Sequence, residues 1–549
     1  MEASADQADG EGVPELRLPW FRGPTDTQPF TLSKMLMSDD PNASPFNCTA
    51  AFPWAANSIE ILWDGVVTDE KVIADWNTMV SEFSGALAVG TTGKFHVFPK
   101  HGTGRPFTFK LPDESWEVRC ISWTLRPEAP TDPLLVVAAF SVIIVVHVKR
   151  REVIGKLRGH GGPITSIAVQ PLHPYLFCTT SKDFSTRIYD LTLSPIQVPN
   201  NPHWPPGKSP SLAGPAHGLH MTEPEGQGVG RCVVVLVGGL AGGHRGAVLY
   251  AAFHRSAPLI ATCGMDRAVK IWRIPPYKPD ILSREDKPLF STDYIHKARV
   301  LSINWLSDDI LISHCAPALM RKTYKDEIYE ENGTVVIWQW LGFNRFFPPG
   351  KLPSKVMRGC ASDYRNSESF KILSAYHLPM GALNLTVHSS PTHDPIILVP
   401  IGKLIRIFNT THFKPREPPS FPFTEEDDMI ASAKRMRLSD DRDRDASNPA
   451  EGSSRARDGI QDDPNGDDER EDESNDVDYG KDDDDYVARP SGLAELFTAI
   501  DGWNVDLSRV PEPRRETLPD ITACEVAAGG RAILGVGAKG TLYVWRLVE

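Results

Sequence analysis

The sequence predicts an all-β chain folded as a seven-bladed propeller of radial four-stranded sheets, interrupted by long disordered insertions. Two observations predict it. One pattern is written twice: Gly159-His160, Asp183, then Ile188-Tyr189-Asp190, and Gly243-His244, Asp266, then Ile271-Trp272-Arg273. The His-to-Asp gaps are 23 and 22 residues, and Asp to aromatic is six in both. Apolar runs ending in a bulky residue also recur, at Phe98, Val146, Tyr189, Trp272, Trp338, Phe408 and Trp545. The spacing is that of a WD-repeat (WD40) blade, and seven such endings make seven blades.

Each element follows in chain order. Residues 1–55 are polar and Pro-rich and read as a mostly disordered segment ahead of a propeller over 56–549. Ser58-Ile59-Glu60-Ile61-Leu62-Trp63 reads as a strand that closes the ring. Gly90-Thr91-Thr92-Gly93-Lys94 hints at a phosphate loop but lacks the Gly-Lys-Ser/Thr ending and a following helix pattern. It reads as a strand-to-strand turn with Gly93 at the tight position. Leu134 to Val148 is apolar but falls short of the roughly 20 residues needed to cross a bilayer. It reads as two buried strands with a corner at Phe140-Ser141.

The first two intervals between strand endings are 48 and 43 residues; the later ones are 83, 66, 70 and 137. Composition shifts account for each excess: a Pro/Gly-rich insertion over 193–230, a charged insertion over 316–331, a basic irregular stretch over 342–370, and an acidic disordered insertion over 415–490. After it, Leu493, Leu496, Phe497 and Ile500 mark one face of a short amphipathic helix over 491–503.

The formal charge of −13 is unevenly distributed. Thr424 to Tyr486 holds 24 Asp and Glu against 9 Lys and Arg, a net of −15, so the rest of the chain stands near +2. That excludes a broad basic nucleic-acid footprint and leaves room for a local basic patch. Lys434-Arg435-Met436-Arg437 within the tract reads either as a nuclear import signal or as a solvated patch on a small helix. The eight Cys form no CxxC framework and read as buried free thiols of a reducing compartment. The acidic N-terminus shows no signal peptide.

In this kind of blade a His, an Asp and an aromatic join a Ser or Thr in a hydrogen-bonded network that pins the corner. His160, Asp183, Tyr189, His244, Asp266 and Trp272 are therefore structural positions, with His296, Trp338 and Trp545 as counterparts in other blades. Recurrence at a repeat period favours this over a His/Asp catalytic or metal site. No GxSxG, HExxH or repeated Cys/His pair is present, so no catalysis, cofactor or metal is expected.

Several runs are more specific than generic repeats. Cys263-Gly264-Met265-Asp266-Arg267-Ala268-Val269-Lys270-Ile271-Trp272, then Phe290-Ser291-Thr292 and Ile295-His296, then Asn304-Trp305-Leu306, resembles the extra sex combs / embryonic ectoderm development (ESC/EED) family. Pro133 to Ala138 and Ser181-Lys182-Asp183 fit as well, so the resemblance covers about residues 115–340. It implies a non-catalytic scaffold subunit of a Polycomb-type histone lysine methyltransferase complex in the nucleus. Its partners would be a SET-domain enzyme and a histone tail, with neither sequence-specific nucleic-acid binding nor a membrane. In that family an aromatic cage holds trimethyl-lysine. The cage positions fall here on Val72, Arg119, Leu383 and Asn384, none of them aromatic, so the resemblance implies a scaffold whose cage is not retained. Trp116 is a nearby substitute. The alternative reading is a WD-repeat adaptor of another class, such as a ubiquitin-ligase substrate receptor.

Overall fold

A strand packed on both faces needs apolar side chains in both alternating sets, and Leu134-Leu135-Val136-Val137-Ala138-Ala139 supplies them without a polar break. Leu135, Val137 and Ala139 enter one apolar cluster with blade 1, while Leu134, Val136 and Ala138 enter another with blade 3. The same division recurs around the molecule. The computed structural model describes residues 19–38, 43–63, 69–99, 105–197, 223–238, 241–277, 282–321, 328–348, 350, 361–378, 383–390, 393–413 and 501–548. These hold seven blades, each built on four antiparallel strands, and seven apolar clusters, one between each pair of neighbouring blades.

From innermost strand outward, blade 1 is Cys48–Ala51, Leu87–Thr91, Lys94–Phe98 and Phe107–Lys110. Blade 2 is Val118–Arg126, Ala129–Ala139, Val142–His147 and Glu152–Leu157. Blade 3 is Ile164–Val169, Leu176–Ser181, Thr186–Asp190 and Arg231–Leu236. Blade 4 is Val248–Phe253, Leu259–Gly264, Val269–Arg273 and Phe290–Thr292. Blade 5 is Val300–Trp305, Ile310–Cys315, Thr334–Trp340 and Phe370–His377. Blade 6 is Thr386–Ser390, His393–Ile401, Leu404–Asn409 and Trp503–Val505. Blade 7 is Ile521–Ala527, Ala532–Gly537, Thr541–Leu547 and, from the other end of the chain, Phe30–Leu36. All seven bulky endings read from the sequence lie in third strands. The turn at Phe140-Ser141 and the turn with Gly93 at φ +74° stand where the sequence placed them.

Because strands alternate in direction, the ring has two ends. One carries the second-to-third-strand turns and the links into each next blade; it is called the turn end below. The other carries the first-to-second-strand connections, including two helices of blade 1, and is called the helix end.

Three expectations are corrected. Ser58-Ile59-Glu60-Ile61-Leu62 is a helix (α1, Ser58–Leu62), because Ile59 and Leu62, three apart, are the pair that is buried. It is followed by α2, Glu70–Phe83, whose N-cap Asp69 accepts from the Lys71 amide at 2.9 Å. α2 turns Trp76, Met79 and Phe83 into the core between blades 1 and 2, and the Trp76 indole donates to the carbonyls of Ala55 and Ala56. The ring-closing strand is instead Phe30–Leu36, inside the stretch expected to be disordered, and the propeller begins there rather than at 56. It pairs with Thr541–Leu547, from Phe30 opposite Leu547 to Leu36 opposite Leu542. Its approach is held by Arg22, whose guanidinium spans both Asp394 oxygens at 2.8 and 2.6 Å. Asn409 donates to the Phe21 carbonyl at 2.6 Å, and the Trp503 indole to that of Pro24 at 3.0 Å. Third, the charged insertion over 316–331 is partly paired: Ala318–Arg321 and Ile328–Glu331 form a hairpin at the blade 5 corner.

The Pro/Gly-rich insertion returns to where it left. Its ends meet through Glu225, whose amide donates to the Ile196 carbonyl and whose carboxylate accepts from the amides of Ile196 and Cys232. Gly226–Gly228 then adds a fifth strand to blade 2, as Ser283–Glu285 does, in parallel, to blade 3. Residues 198–222, the acidic stretch 415–490 and positions 491–500 of the expected helix lie outside the described residues; Trp503 opens a strand. Among the described residues no helix is long and apolar enough to cross a membrane.

A chain lacking residues 1–36 leaves the edge of Thr541–Leu547 unpaired. It is expected to melt well below the intact chain and to self-associate, read by thermal denaturation and size-exclusion chromatography; unchanged melting would mean the ring closes some other way.

Candidate functional site

The residues singled out by the repeat pattern come together at blade corners on the turn end. In blade 4, His244 sits in the link into the innermost strand and Asp266 in the second-to-third-strand turn. His244 Nδ1 lies 3.0 Å from Asp266 and Nε2 2.8 Å from Thr262 Oγ1, while the Trp272 indole donates to the same Oγ1 at 2.9 Å. One proton arrangement satisfies every partner. Trp272 donates to Thr262, Thr262 to Nε2, and Nδ1–H to the carboxylate, which also accepts from the Arg245 amide at 2.9 Å. It requires a neutral imidazole. Burial pushes His244 down and outweighs the opposing pull of Asp266. Burial would raise Asp266, but the His244 side chain, the Arg245 amide and Lys270 hold it at about 2.

Blade 3 repeats the geometry. His160 Nδ1 is 2.9 Å from Asp183 and Nε2 2.7 Å from Thr179 Oγ1. Asp183 further accepts from the amides of Gly161 and Ser185 and from the Ser185 hydroxyl. Tyr189 takes the aromatic place, fully buried and stacked on Phe177. Blade 5 keeps only part of it: His296 Nε2 is 2.6 Å from Ser313 Oγ, which accepts from the Trp338 indole at 3.0 Å. Among the described residues no Asp takes part there; Thr334 Oγ1 stands 3.5 Å from Nδ1. Burial holds the His296 imidazole down at about 3. Trp545 differs again. It is buried in the core between blades 6 and 7, and its indole donates to the Asp506 carbonyl. The hydroxyl partners Thr179 and Thr262 were not singled out in the sequence, although each stands four residues before its Asp.

The four cage positions divide between the two ends. Arg119 is the second residue of blade 2's innermost strand, 43% exposed, and is paired with Glu117 at 2.9 Å. Leu383 and Asn384 precede blade 6's innermost strand; Leu383 is 51% exposed, and the Asn384 amide donates to the Thr522 carbonyl. These three share the turn end. Val72 is on α2 at the helix end, packed against the core of blades 1 and 2. Trp116 is half-buried against that core, with the Lys156 ammonium 5.9 Å from its ring centre. Among the described residues no three His, Cys, Asp or Glu converge as metal ligands. Burial pushes the thiols of Cys48, Cys178 and Cys232 up to about 12, which leaves them poor nucleophiles.

Comparison with known proteins agrees with this geometry. The WD40 model (WD domain, G-beta repeat) matches residues 151–190 and 230–273. The chain is 31% identical over 214 residues to the Polycomb group protein FIE2 of Zea mays, spanning 36% of this chain and 46% of that protein. It is 25% identical over 245 residues to the Polycomb protein EED of Chaetomium thermophilum (44% and 34%), and 25% over 228 to the Polycomb protein esc of Drosophila melanogaster (38% and 44%). The matches span less than half the length of these relatives. Among solved structures, the fold is shared with a chain of the Chaetomium thermophilum polycomb repressive complex 2 at TM-score 0.53 and 15% identity, covering 94% and 97% of the two chains. It is shared too with a chain of ctPRC2 in complex with H3K27me3 and H3K27M, at 0.52 and 16%, covering 94% and 98%. The chain is thus a WD40-repeat propeller that resembles the ESC/EED family.

Thr262→Ala strands the Trp272 N–H and His244 Nε2 inside the blade and is expected to lower stability by about 1–3 kcal/mol, with Thr262→Ser near neutral, by urea denaturation. Acid sensitivity follows from the imidazoles. With folded values below the ordinary 6.5, their stabilisation is complete above that pH and is lost as pH falls through it, towards about 3 for His296. The melting temperature should therefore hold above pH 6.5 and decline below it; a flat profile from pH 7 to 4 would contradict neutral buried imidazoles.

Proposed function

We propose that this chain is a non-catalytic WD-repeat scaffold subunit of a Polycomb-type histone lysine methyltransferase complex acting in the nucleus in chromatin repression. The observation that carries the reading is its sequence similarity to three Polycomb proteins of a plant, a fungus and an insect. The fold supports it, since a propeller offers two broad ends for docking and the His160–Asp183 and His244–Asp266 pairs are engaged in corner networks. The direct partner would be a SET-domain enzyme. A histone tail would be a second ligand, held without a methyl-lysine cage. At the turn end, Arg119 sets a cation where a trimethylammonium would need ring faces, and Asn384 is engaged by Thr522.

Affinity purification of the full chain followed by mass spectrometry is expected to recover a SET-domain protein, and deletion to reduce histone lysine methylation. Recovery of ubiquitin-ligase subunits with methylation unchanged would replace this reading with the adaptor one. Trimethylated and unmethylated histone peptides should titrate alike; a clear preference for the trimethylated form would restore the reader role.

A further inference from the structure

The innermost strands are partly wet where the strands behind them are dry. Ser122, Asn304 and Glu525 are half-buried, while Val136, Ile312 and Leu534, opposite them in the second strands, are buried. Water therefore reaches them along the axis, through the central channel that a ring of blades leaves. A bulge near the start of the innermost strand sets a common level in blades 2, 3, 4, 5 and 7. Counted from it, Glu525 stands level with Ser122, Ala168, Ala252 and Asn304, and Tyr250 stands one step nearer the turn end. The channel wall at this height is made of small side chains, with one carboxylate, one amide and one phenol among them.

Within the seven innermost strands Glu525 is the one carboxylate, and the two guanidinium groups, Arg119 and Arg126, stand near opposite ends of blade 2's strand. His388, in blade 6's strand, is held neutral by burial, at about 4. Blades 4 and 7 lie on opposite sides of the ring. Yet after burial, the Glu525 carboxylate is the next cause that pushes the Tyr250 hydroxyl up. That effect acts across the axis, so the two side chains converge there. Among the described residues Glu525, Tyr250 and Asn304 make no side-chain hydrogen bond or ion pair. Burial pushes the Glu525 carboxyl up, and no neighbouring cation opposes it. A carboxylate drawn out of bulk water without a partner is costly to keep, and a cation that enters from outside relieves that cost.

From this geometry we infer that the axial channel binds a small primary aliphatic amine, with its ammonium on Glu525. A primary ammonium has three donors and no acceptor, and Glu525, the Tyr250 hydroxyl and the Asn304 carbonyl offer it three acceptors. Its alkyl stem lies beside Ala168 and Ala252, where larger side chains would close the channel. A trimethylammonium has no N–H to donate and meets no cage of rings at this level. A lysine on a docked peptide falls short. Glu525 lies three residues inside the exposed Thr522, about 10 Å along the strand, and a four-carbon stem spans about 6 Å. The ligand is therefore a free amine. The site uses none of the four cage positions, and it neither needs nor follows from the proposed scaffold role.

The test is isothermal titration calorimetry of the full chain with butylamine and with putrescine, in a buffer free of amines. Saturable binding at one site is expected, with a melting temperature that rises with amine concentration. Glu525→Gln keeps the shape of the side chain and should weaken binding at least roughly tenfold. It removes an unpaired charge, so it should melt no lower than the parent. Tyr250→Phe, which deletes one acceptor, should weaken binding roughly threefold or more. Glu512→Gln, exposed on the turn end away from the axis, should bind as the parent does. No saturable binding would overturn the inference. Equal binding by Glu525→Gln would assign the heat to acids elsewhere in the chain and overturn it too. So would equal affinity for butyltrimethylammonium, full affinity in Tyr250→Phe, or competition by a lysine-containing histone peptide as strong as that by putrescine.

Discussion

Every blade of this ring has two faces and no face may be left wet. Successive residues of one strand serve different cores, so no sheet is complete until both neighbours are in place. Seven thin apolar layers replace a single centre, and they form a closed circuit only when the last sheet has its fourth strand. That strand comes from the far end of the chain, pinned by a bidentate Arg–carboxylate pair and two buried-side donors from blade 6. The stability of all seven sheets therefore runs through one junction between segments that lie about five hundred residues apart.

What the sequence disclosed tracks what local spacing can encode. A corner network needs His, hydroxyl, Asp and aromatic at fixed offsets, so blades 3 and 4 were legible to the residue. The buried hairpin around Phe140 was legible because two-sided burial leaves an unbroken apolar run. The closing strand was not. Phe30–Leu36 alternates like many short polar segments, and nothing nearby says that its partner is Thr541–Leu547. Ser58–Leu62 misled for the opposite reason: Ile59 and Ile61 suggest a two-residue period, yet the burial of Ile59 with Leu62 decides for a helix. Blade 5 was half-legible, since its His and Trp kept their places while a hairpin interrupts the turn where the Asp was expected. Of the cage positions, the assignment of Val72 rested on alignment through a region that holds the helical insert, and it stands at the other end of the ring from Arg119, Leu383 and Asn384.

The corners show how one motif serves two ends. Inward, the carboxylates of Asp183 and Asp266 order the backbone of two loops at once. Outward, the residues on either side of each Asp are exposed: Lys182 and Phe184 beside Asp183, Met265 and Arg267 beside Asp266.

The stitched base of the Pro/Gly-rich insertion has a quieter consequence. Ile196 and Glu225 hold each other by backbone and side chain, so the chain departs and re-enters at a single knot. The length of chain between them enters the free energy of closing this knot only as a slowly growing term. Such a knot makes the position a natural socket, where whole segments can be gained, trimmed or exchanged over evolutionary time while the wheel behind them turns out unchanged.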